Sequence, residues 1–159
     1  MHNTIETFLK NHGIAYERFE HPAVFTCEEA EVHCKHVPGM ACKNLFLKDK
    51  GSGAFYLVTL PAGKRMDLKA LGKRLGTNKL TFGNADALRA HLGLEPGSVS
   101  PLGLLNDIEK SVRYLIDREV WESRDGLNIH PNINTASLFF SGDAFHALVK
   151  ALEHPYEVI

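Results

Sequence analysis

Apolar positions recur along this chain with two periods, and the switches between them mark out its elements. Ile5, Phe8 and Leu9 share one face of a helix predicted over Thr4 to His12, and Gly13 stands where a C-terminal stop belongs. Ala15 to Phe19 predicts a first strand, closed by His21-Pro22. Thr26 then opens a second helix. It has capping-box spacing with Glu29, and Glu28 and Glu29 suit the positive end of the helix dipole. That helix is expected to fail before Pro38-Gly39. Leu45, Phe46 and Leu47 form a continuous apolar run in a strand predicted over Asn44 to Lys48, which implies burial on both faces. Lys50-Gly51-Ser52-Gly53 turns the chain, and Ala54 to Leu60 returns as the hairpin partner.

Pro61-Ala62-Gly63 breaks that strand, and Asp67 caps a helix through Leu75 with Leu68, Leu71 and Leu75 on one stripe. Lys79 to Phe82 is short and β-like. Asn84 caps a further helix whose Leu88 and Leu92 point inward and which Gly93 ends. Ser111 to Ile116 alternates as a strand, and Asp117 to Glu122 reads as a helical turn. Leu127 to His130 and Thr135 to Ser141 make a hairpin around Pro131-Asn132-Ile133-Asn134. Asp143 to Leu152 closes as a helix with Phe145, Leu148, Val149 and Leu152 buried. Helices and strands mix without strict βαβ alternation, and hairpins are frequent. The pattern predicts a single α+β domain over residues 1–159, with a mixed, mainly antiparallel sheet.

Composition narrows the function classes. The 159 residues, 44% hydrophobic and 23% charged, are enough for one globular core. A net charge of −1 carries no global basic character, so any nucleic-acid contact must be local. No apolar run is long enough to span a bilayer, and Met1-His2-Asn3-Thr4 lacks the apolar core of a signal peptide. The chain reads as cytoplasmic. Cys27, Cys34 and Cys42 are odd in number and read as free thiols in a reducing compartment. With His33 and His36 nearby they raise zinc as an alternative, but neither a C-x2-4-C nor an H-x3-5-H pair is present.

Three features carry candidate chemistry. The stretch Glu95-Pro96-Gly97-Ser98-Val99-Ser100-Pro101-Leu102-Gly103 is a constrained loop: Pro96 fixes φ, Gly97 tolerates positive φ, and Ser100 is pushed towards extended geometry by Pro101. Small side chains there leave backbone N–H groups, around Gly97 and Ser98 above all, to meet a ligand. Lys43 lies at the mouth of the apolar strand, its stem buried and its ammonium facing a cavity. A solvated surface lysine is the plainer account. His130 precedes Pro131 at a strand end, where its ring points into a pocket or out to solvent. Lys64, Arg65, Lys69, Lys73, Arg74 and Lys79 bracket one helix as a solvated face or a phosphate-contacting patch. No G-x-S-x-G elbow, Walker loop, G-x-G-x-x-G or H-E-x-x-H is present, which leaves a site of lysine, backbone amides and the substrate's own groups.

In order along the chain, Cys42-Lys43-Asn44-Leu45-Phe46-Leu47-Lys48-Asp49, Asp67-Leu68-Lys69-Ala70-Leu71, Gly97-Ser98-Val99-Ser100-Pro101-Leu102-Gly103 and His130-Pro131-Asn132-Ile133-Asn134-Thr135-Ala136 resemble one family. It is the YbaK/ProX group of prolyl-tRNA editing domains, related to the insertion domain of bacterial prolyl-tRNA synthetases. The GxxxP loop alone is a weak match; the ordered set is specific. The resemblance implies a curved sheet flanked by helices and hydrolysis, in trans, of the ester joining a wrong amino acid to tRNA. "GSVSPLGLLND" and "HPNINTA" are most similar to the freestanding alanyl-tRNA(Pro) deacylases, with cysteinyl-tRNA(Pro) as the alternative substrate. By the same resemblance Lys43, Gly97 and His130 are the catalytic candidates, with Asn44, Ser98, Val99, Ser100 and Pro101 on the substrate side. The implied partners are the tRNA(Pro) acceptor end and prolyl-tRNA synthetase, for a monomer or weak homodimer with no metal, no cofactor and no membrane contact. A non-catalytic tRNA- or synthetase-binding module is the competing class.

Overall fold

The computed structural model describes residues 2–159. Met1 and the side chain of Cys27, on which the leader and cysteine readings partly rest, lie outside the described residues. The elements in chain order are α1 (His2–Asn11), β1 (Glu17–Glu20), α2 (Cys27–His33), β2 (Met40–Asp49), β3 (Phe55–Pro61), α3 (Leu68–Leu75), β4 (Leu80–Phe82) and α4 (Ala85–Leu92). A 3₁₀ helix (Pro101–Asn106), β5 (Val112–Ile116), α5 (Arg118–Trp121), β6 (Leu127–Ile129), β7 (Ala136–Phe140), α6 (Gly142–Leu152) and β8 (Tyr156–Val158) follow.

Helix starts obey their capping residues. The Glu29, Ala70, Ala87 and Ala144 amides donate to the side chains of Thr26, Asp67, Asn84 and Ser141, so each helix satisfies an otherwise orphaned N–H. Eight strands make one mixed sheet in the order β1-β7-β6-β2-β3-β5-β8, with β4 also on β2. β1–β7, β6–β7, β2–β3 and β2–β4 run antiparallel; β2–β6, β3–β5 and β5–β8 run parallel.

Strand alternation divides the core in two. Phe46, Leu57, Val112, Tyr114 and Ile116 face a large cluster with α1, α4 and α6. Leu47, Tyr56, Val58, Leu60 and Leu115 face a smaller one with Leu71 of α3. Both faces of the sheet are therefore covered, as the apolar run Leu45-Phe46-Leu47 implied. No helix among the described residues is long and apolar enough to cross a membrane.

Three elements depart from the sequence reading, one of them the 3₁₀ helix Pro101–Asn106, where only a constrained loop was expected. Strand β2 begins four residues before Asn44, because Met40 and Ala41 pair with Leu127 and Asn128. The chain beyond Leu152 adds β8 as an edge strand on β5, three residues after Pro155 that no local pattern marks.

Candidate active site

Strand β2 is shared by two parts of the sheet, and the site lies where they diverge. On the side away from β3, its partner is β6 as far as Ala41 and β4 from Leu47 onward. Between them, Cys42 to Leu45 has no strand partner on that edge among the described residues, the Phe46 carbonyl already accepting the Gly83 amide at 2.8 Å. A cavity of about 930 Å³ opens there, bordered by Lys43, Asn44, Gly97, Val99 and His130, with Phe25 at its mouth. Lys43 and Asn44 alternate to opposite faces of β2, and the open edge lets both reach the same space.

Lys43 is half-buried, and its ammonium has no hydrogen-bond or ion-pair partner among the described residues. Asn44 is held from behind: the Thr59 hydroxyl donates to Asn44 Oδ1 at 2.5 Å, and Thr59 Oγ1 lies 2.7 Å from the Tyr114 hydroxyl.

The loop after α4 is a β-turn closed by the Ser98 amide donating to the Glu95 carbonyl at 3.0 Å. Pro96 and Gly97 occupy its central positions, and the Gly97 φ of +93° is the left-handed value a type II turn requires. Arg89 of α4 holds the Glu95 carboxylate at 2.9 Å. Of this loop only Gly97 and Val99 reach the cavity wall. The sequence reading of Ser98 as a free amide is corrected, since the turn occupies it. Ser100 and Pro101 likewise stand behind the wall, fully buried. Ser100 Oγ donates to the His130 carbonyl at 2.5 Å and accepts the Leu102 amide at 3.2 Å, starting the 3₁₀ helix. The amides of Gly97 and Val99 have no partner among the described residues.

His130 Nδ1 donates to the Ala136 carbonyl at 2.9 Å, which commits that nitrogen and leaves Nε2 as the ring's free atom. Burial pushes its pKa below the ordinary histidine value; the Ala136 bond acts against that and His21 adds to it. The His21 ring lies 5.9 Å from it, with Nδ1 on the Pro22 carbonyl and Nε2 against Ser137 Oγ, both at 2.9 Å. Ser137 also lines the cavity.

Sequence reasoning missed Phe25, His21, Ser137, Thr59 and Tyr114. Only Thr59 had a local signal, since the register of the β2–β3 hairpin sets it opposite Asn44. The other four are placed by pairings between distant segments. Burial, and secondarily Asp117, pushes the Cys42 thiol up to about 12, an inert group. Among the described residues no group of three or more His, Cys, Asp or Glu is placed to hold a metal ion. The basic patch is thinner than its sequence suggested. Lys64 is bound to Asp117 at 2.8 Å and Glu119 at 3.0 Å, and Arg74 lies 3.6 Å from Glu157.

A mixed sheet split at its central strand, with a lysine, an amide side chain, a neutral histidine and a glycine turn around one cavity, suits ester chemistry on a ligand with anionic groups. The chain belongs to the aminoacyl-tRNA editing domain family, which it matches over residues 21–148. It is therefore an aminoacyl-tRNA deacylase. It is 35% identical over 147 residues to the prolyl-tRNA editing protein ProX of Acetoanaerobium sticklandii, covering 92% of this chain and 88% of that one. It is 36% identical over 145 residues to the prolyl-tRNA synthetase associated domain-containing protein 1 of Mus musculus, covering 89% and 85%. Among solved structures it resembles the hypothetical protein APE2540, with a TM-score of 0.74 over 97% of each chain and 19% identity, a likeness of fold.

Proposed function

We propose that this chain is a cytoplasmic trans-editing enzyme that hydrolyses the ester of alanyl-tRNA(Pro) without a metal. The observation that carries this reading is the convergence of Lys43, Asn44, Gly97 and His130, from three separate segments, on one cavity. A synthetase pocket built for proline cannot strongly reject the smaller alanine, because each methylene left unfilled is worth only about 1–3 kcal/mol. A second site with the opposite size preference supplies the missing discrimination.

The ester is already activated, so orienting a water and stabilising the developing oxyanion are the principal requirements. In the proposed mechanism the Lys43 ammonium, without a partner among the described residues, takes the terminal phosphate or the carbonyl oxygen. His130 Nε2, unprotonated at neutral pH, accepts a hydrogen bond from water or a ribose hydroxyl. Gly97 and Val99 wall the aminoacyl group. The whole cavity, at about 930 Å³, is far roomier than an alanyl group needs. Exclusion of proline thus belongs to one corner of it, and the remaining space to the 3′-terminal nucleotide. The names of the relatives support tRNA(Pro) as the carrier and prolyl-tRNA synthetase as the enzyme whose errors are corrected.

Alanyl-, cysteinyl-, seryl- and prolyl-tRNA(Pro), offered side by side in chelator-treated buffer, test the proposal. Alanyl-tRNA(Pro) is expected to be cleaved fastest and prolyl-tRNA(Pro) spared, with Lys43→Ala at least ~100-fold slower. Undiminished activity in Lys43→Ala, or activity lost on chelation, sinks the assignment. Preferred cleavage of cysteinyl-tRNA(Pro) selects the sibling substrate, and binding without cleavage selects a tRNA-binding module.

A further inference from the structure

The Asn44 side chain is a cavity group held from the core by two buried hydroxyls in series. Thr59 and Tyr114 are buried, at 0% and 1% exposure. Their hydroxyls and the Asn44 carboxamide form a single file, at 2.7 and 2.5 Å. Direction along this file follows from the inventory of donors. Burial, opposed by the Thr59 bond, pushes the Tyr114 phenol above the ordinary tyrosine range, so it stays protonated. Thr59 is its sole hydrogen-bond partner among the described residues, and a buried phenol left without an acceptor is costly. The Tyr114 O–H therefore donates to Thr59 Oγ1, which sends its own proton to Asn44 Oδ1. The carboxamide cannot then turn over, and both Nδ2 protons are left for the cavity.

We propose that Thr59 and Tyr114 are positioning residues that lock Asn44 as a double hydrogen-bond donor towards the scissile ester carbonyl. A fixed N–H pair complements oxygen acceptors and repels the substrate's ammonium, so it both stabilises the developing oxyanion and sets which way round the aminoacyl group enters. The inference rests on Asn44 belonging to the active site, as proposed above.

Two measurements separate the two claims. In 1H–15N spectra the Asn44 side-chain NH2 pair, identified by its loss in Asn44→Asp, is expected to move in Thr59→Val and Tyr114→Phe and to keep its place in Thr59→Ser. In steady-state cleavage of alanyl-tRNA(Pro), Thr59→Val is expected to lower kcat on the order of 10- to 100-fold with KM little changed. Thr59→Ser should recover the rate, and Asn44→Ala/Thr59→Val should be no slower than Asn44→Ala alone. Melting curves confirm that Thr59→Val and Tyr114→Phe are folded. An unmoved NH2 pair, a wild-type rate in Thr59→Val, or additive losses in the double variant overturns the positioning role and leaves Asn44 in the site. Wild-type activity in Asn44→Ala removes Asn44 from the site, and this inference with it.

Discussion

His130 shows how one residue acquires its chemistry from its surroundings. Its Nδ1–H is spent on the Ala136 carbonyl, and burial holds its pKa below the usual histidine value. A neutral ring with a free Nε2 is the consequence at pH 7. The acid limb of the deacylation profile is therefore expected to have its midpoint below about 6.5. In His130→Asn that limb should vanish while the slow residual rate becomes flat with pH. A midpoint at or above 6.5 would remove His130 as the titrating group. The same depression enters stability with a definite sign. The unfolded chain takes up its proton first, so the contribution is intact above about 6.5 and is lost as pH falls through the lower folded value. Lys43 has no comparable local support, and its importance follows from position alone.

At the scale of elements, the decisive piece is the turn that follows α4 and the tie behind it. Ser100 bonds the His130 carbonyl, so the loop wall and the strand end that carries His130 move as one unit. Gly97 has a φ of +93°, and a Cβ there would lie 3.2 Å from the Phe25 ring. Gly97→Ala thus meets both backbone strain and an aromatic neighbour at the cavity mouth. The expected result is turnover reduced ~10-fold or more, with a destabilisation of about 1 kcal/mol that lowers the melting temperature by only about 2–4 °C. Melting that collapses together with activity would show the loop to be scaffold instead. The rigidity of this loop was legible in Pro96, Gly97 and the Ser100-Pro101 pair. That Ser98, Ser100 and Pro101 serve the wall from behind was not, because the Ser100 partner lies thirty residues away, on His130.

The whole molecule is closed by contacts remote from the cavity, chief among them the buried pair Asp107 and His154. Asp107 accepts the Val112 amide at 2.8 Å, the Ser111 hydroxyl at 2.9 Å and His154 Nε2 at 3.1 Å, joining the 3₁₀ helix to β5 and to the segment leading into β8. Burial alone would raise its carboxyl, but these bonds together hold it below the ordinary range. Its stabilisation is therefore present above the unfolded value near 3.9 and lost as pH falls through the lower folded one. Asp107→Ala should cost about 3 kcal/mol or more at pH 7 by urea unfolding, with a gap that narrows in acid. An unchanged gap between pH 7 and pH 3 would contradict the linkage. What the sequence determined by itself was whatever depends on neighbours three or four residues away. Caps at Thr26, Asp67 and Asn84, stops at Gly13 and Gly93, the β2–β3 hairpin and the mixed α+β class all came from such short-range chemistry. The ordered motifs around Lys43, Gly97 and His130 carried the family for the same reason, since each is a contiguous run. Tertiary structure alone decided the split of β2 between β6 and β4, the edge strand β8, the Ser100–His130 bond and the file Tyr114–Thr59–Asn44. Those features depend on parallel pairings and register between segments tens of residues apart, where no local period or turn residue records the partner.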